Sequence, residues 1–588
     1  MLKNINSLKK TLSTTQKNKI ILIFVMSFFI PFMEVLSIAT LGALILFVID
    51  VDNIVKMIPI QNLEDFVKSI DKTTLIYVLS VFVLVLIIFK NLFLLLYSFL
   101  AVKLQKEIIS SHSLHIYKHY MNKKFIDLTY LNTPGIQNDI LGQSSKISYY
   151  IFFNISLLKD FLLALLFIFG LLAVNFKVTI FLIFIALIFS ILYFLFTRKK
   201  IKNFGLQANF FDRELIKITQ YTFVGIKSII IFSKKKFFQN RFIEIIEQKI
   251  KNEIWYDTIS KLPRLILEIA FAACIVLFMN FSIKSEDDIS KILPFLVFLS
   301  LISIRLLPIF SNLNLVMTNI KHIEPVVEKL LKFWDVPTIL TKAPLIDLEK
   351  QNFNNLNYIG LKNVYFNYKT SDKNIINNLS FKFEKNKIYA LTGTSGAGKS
   401  TLIDIICGFL EPSTGRVEAN GKNIYQNIEL WRQQIAFVPQ DNFLLNDTII
   451  ANISFVDLGK ETNMKRFNDA IEQSDLIEFI DMLPKKEMTI TGDRGINISG
   501  GQKQRIGLAR ALYKNGNFIA LDEATNSVDK DSEVTIIDTL HKIKKGKIII
   551  VIAHSQSTIN LCDEVILLKN GEVKFTGKPE SYFSQNKS

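Results

Sequence analysis

Long apolar runs dominate roughly the first 320 residues of this 588-residue chain. Six of these runs lie near residues 20–49, 74–102, 149–175, 177–197, 263–283 and 289–317. Each is long enough to cross about 30 Å of hydrocarbon as a helix that rises about 1.5 Å per residue. Because lipid cannot satisfy exposed backbone hydrogen bonds, such runs fold as helices. We therefore expect an α-helical membrane domain with six transmembrane helices, of which the third and fourth form a tight hairpin.

The positive charge of the chain is concentrated beside the apolar runs. The net charge is +17, and basic clusters such as residues 198–200 and 234–236 flank the predicted helices. Lysine and arginine accumulate on the cytoplasmic side of membrane helices, whereas the first outside connection here is acidic. This distribution predicts that both termini face the cytoplasm, and it favours a membrane flank over a nucleic-acid partner. The three cysteines (Cys274, Cys407 and Cys562) show no metal-ligand spacing and indicate no disulfide framework.

The connections between the runs differ on the two sides of the membrane. The two cytoplasmic connections are long and helical in pattern, so residues 103–120 and 207–223 are predicted to continue the membrane helices into the cytoplasm. The outside segment 53–70 is either a short amphipathic helix on the membrane surface or an ordinary helical loop. The first run is longer than a signal-peptide core and contains Glu34, which predicts a retained membrane anchor.

The membrane pattern ends near residues 334–337, and a polar linker follows. From Tyr358 onward short apolar strands alternate with helices, as in a parallel-sheet nucleotide-binding domain. We therefore predict a transmembrane domain at 1–325, a linker at 326–357 and a nucleotide-binding domain at 358–588.

The strongest chemical motif is a phosphate-binding loop between an apolar strand and a predicted helix. It fits the pattern G-x-x-x-x-G-K-[ST], and its residues are Gly393, Thr394, Ser395, Gly396, Ala397, Gly398, Lys399 and Ser400. The glycines let backbone N–H groups turn toward phosphates, and the helix that follows, from Thr401, adds the positive end of its dipole. We expect Lys399 to neutralise the β- and γ-phosphates of ATP and the Ser400 hydroxyl to bind Mg²⁺.

Two further motifs follow this loop. A predicted helix begins after Ile498, and its first turn offers backbone donors to an anion through Ser499, Gly500, Gly501 and Gln502. Later, the apolar strand 518–521 ends in Asp522 and Glu523. Two adjacent carboxylates repel each other unless a cation lies between them, so the pair indicates a Mg²⁺-dependent site.

These motifs, in this order, resemble those of an ABC exporter half-transporter over almost the whole chain. The resemblance implies a membrane α-helical domain of six transmembrane helices with long cytoplasmic extensions, followed by an α/β P-loop ABC nucleotide-binding domain. It also implies an ATPase coupled to transport, with ATP and Mg²⁺ as cofactors. By this resemblance Tyr368 stacks on adenine, and Gln440 and Asp522 bind Mg²⁺. Glu523 is then the general base, His554 contacts the γ-phosphate, and Gln440 also reaches the attacking water.

In this family two chains complete each site together. The helix start at Ser499 is implied to close on the γ-phosphate held by the other chain's loop, so we expect a homodimer with two competent sites. Coupling helices that dock on the nucleotide-binding domain are expected near residues 125–131 and 216–225. Several positions depart from the family's usual residues without removing a catalytic group, among them Asp493, Ile498, Asn526 and Ser555.

The cargo is indicated by charges within the apolar runs. Lys90, Arg264 and Arg305 are candidates to face a cavity or to snorkel toward water, as are the acids Glu34, Asp160 and Glu268. The membrane half resembles bacterial flippases of lipid-linked oligosaccharides used in protein glycosylation. That resemblance implies a multi-pass protein of the inner membrane and a basic belt that attracts the pyrophosphate of a polyprenyl-linked oligosaccharide.

Two other functions remain open from the sequence. One is an ABC exporter of a peptide, lipid or drug. The other is a membrane-bound nucleotide sensor without a pumped cargo, which the intact Glu523 and His554 argue against.

Overall fold

The structure is a computed structural model. It describes residues 7–49, 72–174, 176–282, 286–335, 353, 355–369, 373–492, 495, 498–522 and 530–585. The outside segment 53–70, for which the sequence left a surface helix or a loop open, lies outside the described residues. Contacts divide the chain into two compact units. One comprises Met1–Lys123 and Tyr130–Leu340, and the other Lys124–Thr129 and Thr341–Ser588.

Helices account for the described part of the first unit. In chain order the helices up to residue 335 are α1 (Thr14–Ile49), α2 (Lys72–Met121), α3 (Phe125–Thr129), α4 (Thr133–Gln137), a π-helix (Asn138–Gln143), α5 (Ser144–Val174), α6 (Phe176–Val224), α7 (Ile226–Ile231), α8 (Lys235–Ser282) and α9 (Glu286–Asp335). The described residues of the six predicted spans lie within the six long helices α1, α2, α5, α6, α8 and α9.

The long helices extend well beyond the apolar spans. Helix α2 continues to Met121 and α6 to Val224, as the helical pattern of the cytoplasmic connections predicted. Among the described residues, three stretches are by length and composition able to cross a membrane: Thr14–Gly42, Ile76–Met121 and Thr133–Gly170. A helix hydrogen-bonds its own backbone, so this architecture suits the apolar runs.

The helices of the first unit pack around an apolar core, and α1 and α2 are antiparallel neighbours. Contacts of α1 with α2 run in opposite chain directions, since Lys19 meets Glu107 while Glu34 meets Lys90. The core gathers buried apolar residues from α2, α5 and α9, among them Ile108, Ile147 and Val327. Large apolar side chains elsewhere on α1 and α2 are exposed, for example Phe28, Phe82 and Leu95. A surface of that size is stable where lipid covers it.

The second unit is an α/β fold. Its strands are β1 (Tyr358–Phe366), β2 (Ile376–Glu384), β3 (Lys387–Thr392), β4 (Thr414–Ala419), β5 (Lys422–Asn423), β6 (Ile435–Val438), β7 (Phe518–Leu521), β8 (Ile548–Ile552), β9 (Glu564–Lys569) and β10 (Glu572–Gly577). Its α-helices after α3 are α10 (Lys399–Ile406), α11 (Ile428–Gln433), α12 (Ile449–Ile453), α13 (Met464–Gln473), α14 (Ile477–Asp481), α15 (Gly500–Lys514), α16 (Lys530–Ile543), α17 (Gln556–Asn560) and α18 (Pro579–Gln585).

Two sheets organise this unit. One is antiparallel with the order β2-β1-β4-β5, and the other has the order β10-β9-β3-β8-β7-β6. In the second sheet, strands β9, β3, β8, β7 and β6 run parallel to one another, and β10 pairs antiparallel with β9. The parallel strands are buried apolar runs, such as β8 with five buried residues, because helices and the other sheet cover both faces.

A third cluster in this unit is helical. It joins α12, α13 and the middle of α15 around Ile449, Phe467 and Ile506. The fold class predicted from the sequence, a helical membrane domain followed by an α/β nucleotide-binding domain, is confirmed. The domain boundaries at 325 and 357 stay a prediction, although α9 continues to Asp335.

Candidate functional site

The phosphate loop lies between a central strand and the start of a helix. Strand β3 is buried between β9 and β8, and α10 begins at Lys399 directly after the loop. The loop turns through left-handed backbone at Gly393, Gly396 and Gly398, with φ of +147°, +78° and +101°. A side chain at Gly393 would place its Cβ 2.2 Å from the backbone oxygen of Leu568. The loop geometry therefore depends on glycine.

The charged residue of this loop is held inside it. Lys399 is buried, and its Nζ donates to the backbone oxygens of Gly393 at 2.9 Å and Thr394 at 3.1 Å. Thr394, Ser395 and Gly396 are exposed at the tip. An ammonium group surrounded by loop backbone is positioned to neutralise bound phosphates.

A hydroxyl and a carboxylate meet beside the loop. Ser400 Oγ donates to Asp522 Oδ1 at 3.3 Å, across the gap between the start of α10 and the end of β7. Hydroxyl and carboxylate oxygens are ligands that Mg²⁺ accepts in combination with substrate phosphates. The pair therefore fits the predicted Mg²⁺ site, and Mg²⁺ would there neutralise phosphate charge.

The carboxyl ends of neighbouring parallel strands gather the other predicted residues. Gln440 follows β6, Asp522 follows β7 and His554 follows β8, while the phosphate loop follows β3. In the sheet these strands are adjacent in the order β3-β8-β7-β6. The backbone is joined there too, since Asp522 N donates to the Val438 oxygen at 2.9 Å. Ligands of open α/β sheets bind at this edge, so one site brings these residues together.

The predicted adenine-stacking residue lies near the same helix start. The Tyr368 hydroxyl is 3.5 Å from Thr401 Oγ1, and its ring packs edge-on against Phe366 with centroids 5.0 Å apart. Tyr368 is half-buried at the rim of the core. The remaining ring surface is available for stacking, which stays a prediction.

The second motif, residues 499–502, which we call the signature, forms a capped helix start on a separate cluster. Ser499 Oγ accepts from Gln502 N at 3.3 Å, and Gln502 Oε1 accepts from Ser499 N at 3.0 Å, which is a capping box at the start of α15. Ser499 and Gly500 are exposed, and Gly501 is half-exposed. The exposed N-terminus of a fifteen-residue helix suits contact with an anion from outside the chain.

The sequence also singled out three residues that lie outside the part of the chain described by the structure: Glu523, Asp493 and Asn526. Ser555 is described, and its hydroxyl accepts from Thr558 N at 3.0 Å, so it caps α17. The residue at this position therefore has a structural role in this chain.

Sequence reasoning missed one acidic residue of the site. Asp404 lies one turn after Ser400 on α10, and burial, followed by the nearby Asp522 carboxylate, raises the pKa of Asp404 to about 6. The i,i+4 spacing from Ser400 places both side chains on one face of the helix and would have identified it.

A short helix from the N-terminal half belongs to the nucleotide-binding unit. Helix α3 coincides with the first predicted coupling segment, and its Phe125 ring lies 5.4 Å from that of Phe409. Lys124 pairs with Glu411 at 2.8 Å. The second predicted segment, 216–225, instead forms the end of α6, and the short helix α7 follows it.

The three predicted cargo residues differ in their surroundings. Lys90 Nζ lies 3.7 Å from Glu34 Oε2, and the side chains are 17% and 24% exposed. Arg264 is exposed on α8. The side chain of Arg305 lies outside the described residues. Lys90 therefore has an acidic partner that the basic-belt prediction did not include.

Comparisons with known proteins agree with this site. A family model described as ABC transporter matches residues 376–526, which include the phosphate loop, the signature and the paired acids. An ATP-dependent lipid A-core flippase of Pasteurella multocida is 35% identical over 286 residues, covering 47% of this chain and 49% of that protein. One of Saccharophagus degradans is 32% identical over 366 residues, covering 62% and 60%.

Other relatives share mainly one domain. Multidrug resistance protein 1 of Entamoeba histolytica is 40% identical over 247 residues, which is 41% of this chain and 19% of that protein. The matched region thus spans between about one fifth and three fifths of these curated relatives. A solved bacterial Atm1-family ABC exporter with ATP bound superposes with a TM-score of 0.75 at 20% identity, covering 98% of this chain and 97% of that one.

Proposed function

Because this chain contains an ABC transporter domain and has the fold of an ABC exporter, we propose that it is an ATP-driven half-transporter that works as a homodimer. The observation that carries the proposal is the sheet edge at which the phosphate loop, Gln440, Asp522 and His554 meet. A unit of long apolar helices precedes that edge in the same chain. ATP with Mg²⁺ is the cofactor pair that domains of this family bind.

The residues of one chain divide the work of hydrolysis. Lys399 holds the phosphates, and Ser400, Gln440 and Asp522 hold Mg²⁺. Glu523 accepts the proton of the attacking water, and His554 stabilises the γ-phosphate charge. The exposed start of α15 supplies backbone donors to the phosphates held by a second copy.

Removing the loop lysine tests the ATP-driven part. Lys399→Ala should abolish both ATP hydrolysis and transport in liposomes, because the phosphates lose their counter-charge. Lys542→Ala, which removes an exposed lysine from α16, is the matched control and should leave both rates unchanged. Transport that survives Lys399→Ala would refute the proposal.

For the cargo, the best candidate is a polyprenyl-pyrophosphate-linked oligosaccharide moved from the cytoplasmic to the outer leaflet of the bacterial inner membrane, for protein glycosylation. Both termini are then cytoplasmic. The support is the membrane-half resemblance together with basic side chains at Lys90 and Arg264. A second candidate is another lipid or a drug, since relatives are named as lipid A-core flippases and multidrug resistance proteins.

One reconstitution separates these cargoes. Purified protein in liposomes is given a lipid-linked oligosaccharide, a plain phospholipid or a hydrophobic dye, and leaflet movement is measured with ATP hydrolysis. Arg264→Ala should slow the pyrophosphate lipid alone, whereas Lys261→Ala, three residues earlier on the same helix, should not. If Arg264→Ala leaves the pyrophosphate lipid unaffected, or only the dye moves, the oligosaccharide proposal is wrong.

A further inference from the structure

An unusual turn interrupts the helices that follow α3. Residues Asn138–Gln143 form a π-helix between α4 and α5. Such turns are rare and often occur where a protein moves or binds. Three of its six residues, Asn138, Asp139 and Gln143, are polar and buried. Their partners decide what the turn does.

Asp139 joins this turn to two long helices. Its side chain is 3% exposed, and both of its carboxylate oxygens lie 2.5 Å from Lys329 Nζ on α9. The Tyr120 hydroxyl, at the end of α2, donates to Asp139 Oδ2 at 2.9 Å. Burial lowers the pKa of Lys329, and the Asp139 carboxylate opposes that shift.

The other polar residues of the turn reach two more helices. Asn138 Nδ2 donates to Asn209 Oδ1 on α6 at 3.2 Å, and Gln143 Nε2 lies 3.4 Å from Asp212 Oδ2, also on α6. Asp212 in turn pairs with Lys249 on α8 at 2.8 Å. Three residues of the turn are thus connected by polar contacts to α2, α6 and α9, and through Asp212 to α8.

Buried ion pairs are a poor means of stabilising a helical core. Apolar side chains of similar volume often stabilise such a junction as well, because burying the Asp139 carboxylate costs the free energy of removing its charge from water. The Lys329 side chain keeps 37% of its surface exposed. What a polar junction provides is direction and register, because each hydrogen bond is satisfied in one arrangement only. The turn at Asn138–Gln143 is therefore built for a defined position of α5 relative to α2 and α9.

We propose that Asp139 is a positioning residue, which carries movement of the docked helix α3 through residues 130–137 into α5 and α9. The proposal rests on the proposed ATP-driven cycle, which supplies that movement. Without the Asp139 contacts, α3 still follows the nucleotide-binding domain, but its displacement is absorbed at the loosened turn. Nucleotide binding then no longer changes the membrane helices.

Hydrogen exchange of the full-length protein in lipid nanodiscs tests this. Deuterium uptake is compared with and without Mg–ATP and vanadate for wild type, Asp139→Asn and Tyr120→Phe. The control is Asp160→Asn, which neutralises a different buried aspartate that lies on α5. Asp160 Oδ2 accepts a hydrogen bond from Asn312 Nδ2 on α9 at 2.5 Å. ATP hydrolysis and the unfolding midpoint are measured for each variant.

In wild type and Asp160→Asn, trapping should change uptake in peptides from α3, α5 and α9. In Asp139→Asn the change at α3 should persist, while the change at α5 and α9 should fall to less than about half. ATP hydrolysis should stay within about twofold of wild type. Tyr120→Phe keeps both charges paired, so its change in deuterium uptake in the same peptides should be reduced by a smaller amount. If Asp139→Asn does not fold, the result for Tyr120→Phe decides whether the proposal holds.

Three outcomes would overturn the proposal. The first is a change in deuterium uptake of α5 and α9 in Asp139→Asn that equals the wild-type change on trapping. If Asp139→Asn does not fold, the same result in Tyr120→Phe has this meaning. The second is an equal loss in Asp160→Asn, which would mean that any weakened packing of α5 has this effect. The third is wild-type protein without ATP hydrolysis or any response to trapping, which would reject the proposed function itself.

Discussion

Two glycines of the phosphate loop show two different reasons why a side chain is disfavoured, namely backbone strain and steric clash. Gly393 and Gly396 both have positive φ, which costs any L-residue energy. At Gly393 the added Cβ would also lie 2.2 Å from the Leu568 oxygen, whereas a Cβ at Gly396 would have no atom within 4 Å apart from those of the two adjacent residues in the chain. Only the first position therefore combines backbone strain with a clash.

This difference gives a matched pair of substitutions. Gly396→Ala should lower the free energy of unfolding of the nucleotide-binding domain by about 1 kcal/mol, the cost of the backbone conformation alone. Gly393→Ala should lower it by about 3 kcal/mol or more, since β3 and β9 must separate to admit the methyl group. Denaturant unfolding followed by tryptophan fluorescence measures both. Equal effects would mean that the Leu568 contact does not constrain the loop.

Asp404 gives a pH-dependent prediction. Its pKa is raised from 3.8 to about 6, so the folded state holds the proton more tightly than the unfolded chain does. The contribution of this tighter proton binding to the free energy of unfolding is fully present below pH 3.8, and it is lost as the pH rises through about 6. Asp404→Asn should therefore stabilise nucleotide-free protein by about 1–2 kcal/mol at pH 7.5, allowing for partial solvent exposure.

The measurement is the unfolding midpoint of the nucleotide-binding domain between pH 4 and pH 8, with EDTA present to remove Mg²⁺. The advantage of Asp404→Asn should vanish near pH 4. Lys422→Ala at the surface serves as a control without pH dependence in this range. A difference that does not change with pH would show that Asp404 acts through packing instead.

Single residues of the site were predicted from the sequence where a motif fixes both type and spacing. Lys399, Ser400 and Asp522 are of this kind, and the structure brings them to one sheet edge. Pairings between distant positions carry no such local signal. Lys90 lies beside Glu34 only because α1 and α2 pack antiparallel. The sequence of each apolar run, considered separately, therefore does not show that these two charges are paired.

At the scale of elements, α3 shows how five residues can attach to a domain. Its Phe125 ring packs on Phe409, and Ile126 packs against the core. Its ion pairs, Lys124 with Glu411 at 2.8 Å and Asp127 with Lys369 at 2.9 Å, are largely exposed. Exposed pairs contribute at most about 1 kcal/mol, so the apolar contacts dominate the attachment.

Substitutions on α3 should therefore uncouple transport from hydrolysis unequally. Phe125→Ala should reduce transport by at least about tenfold while ATP hydrolysis continues, because the helix loses its main contact with the domain. Lys124→Ala, one residue earlier, should reduce transport by less than about twofold. Both rates are measured on the same proteoliposomes. The interpretation fails if the lysine variant is the more severely affected.

The sequence predicted the elements where periodicity and length are strong. The six long helices are of this kind, as is the order of the strands that carry the motifs, and the helical continuation of α2 to Met121 and of α6 to Val224 is confirmed. The π-helix at Asn138–Gln143 was not predicted. A turn with one extra residue leaves no pattern in a short segment, and its side chains bond to partners on three other helices, α2, α6 and α9.

At the scale of the whole molecule, the proposed function requires two copies of the chain. The phosphate loop lies at the edge of the β10-to-β6 sheet, while the signature caps α15 on the helical cluster. Each chain carries one of each, so two chains arranged head to tail make two complete sites. This arrangement is proposed from the exposed start of α15 and the exporter fold.

Complementation between two inactive chains tests whether each ATP site is shared between two copies. Lys399→Ala chains and Ser499→Arg chains carry different affinity tags, are expressed together, and only dimers with both tags are purified. If each site joins the loop of one chain to the signature of the other, such a dimer contains one doubly defective site and one intact site. Its ATP hydrolysis should reach about half the wild-type rate, while either variant alone is inactive. Mixed dimers as inactive as both parents would contradict the account, since each chain would then depend on its own signature.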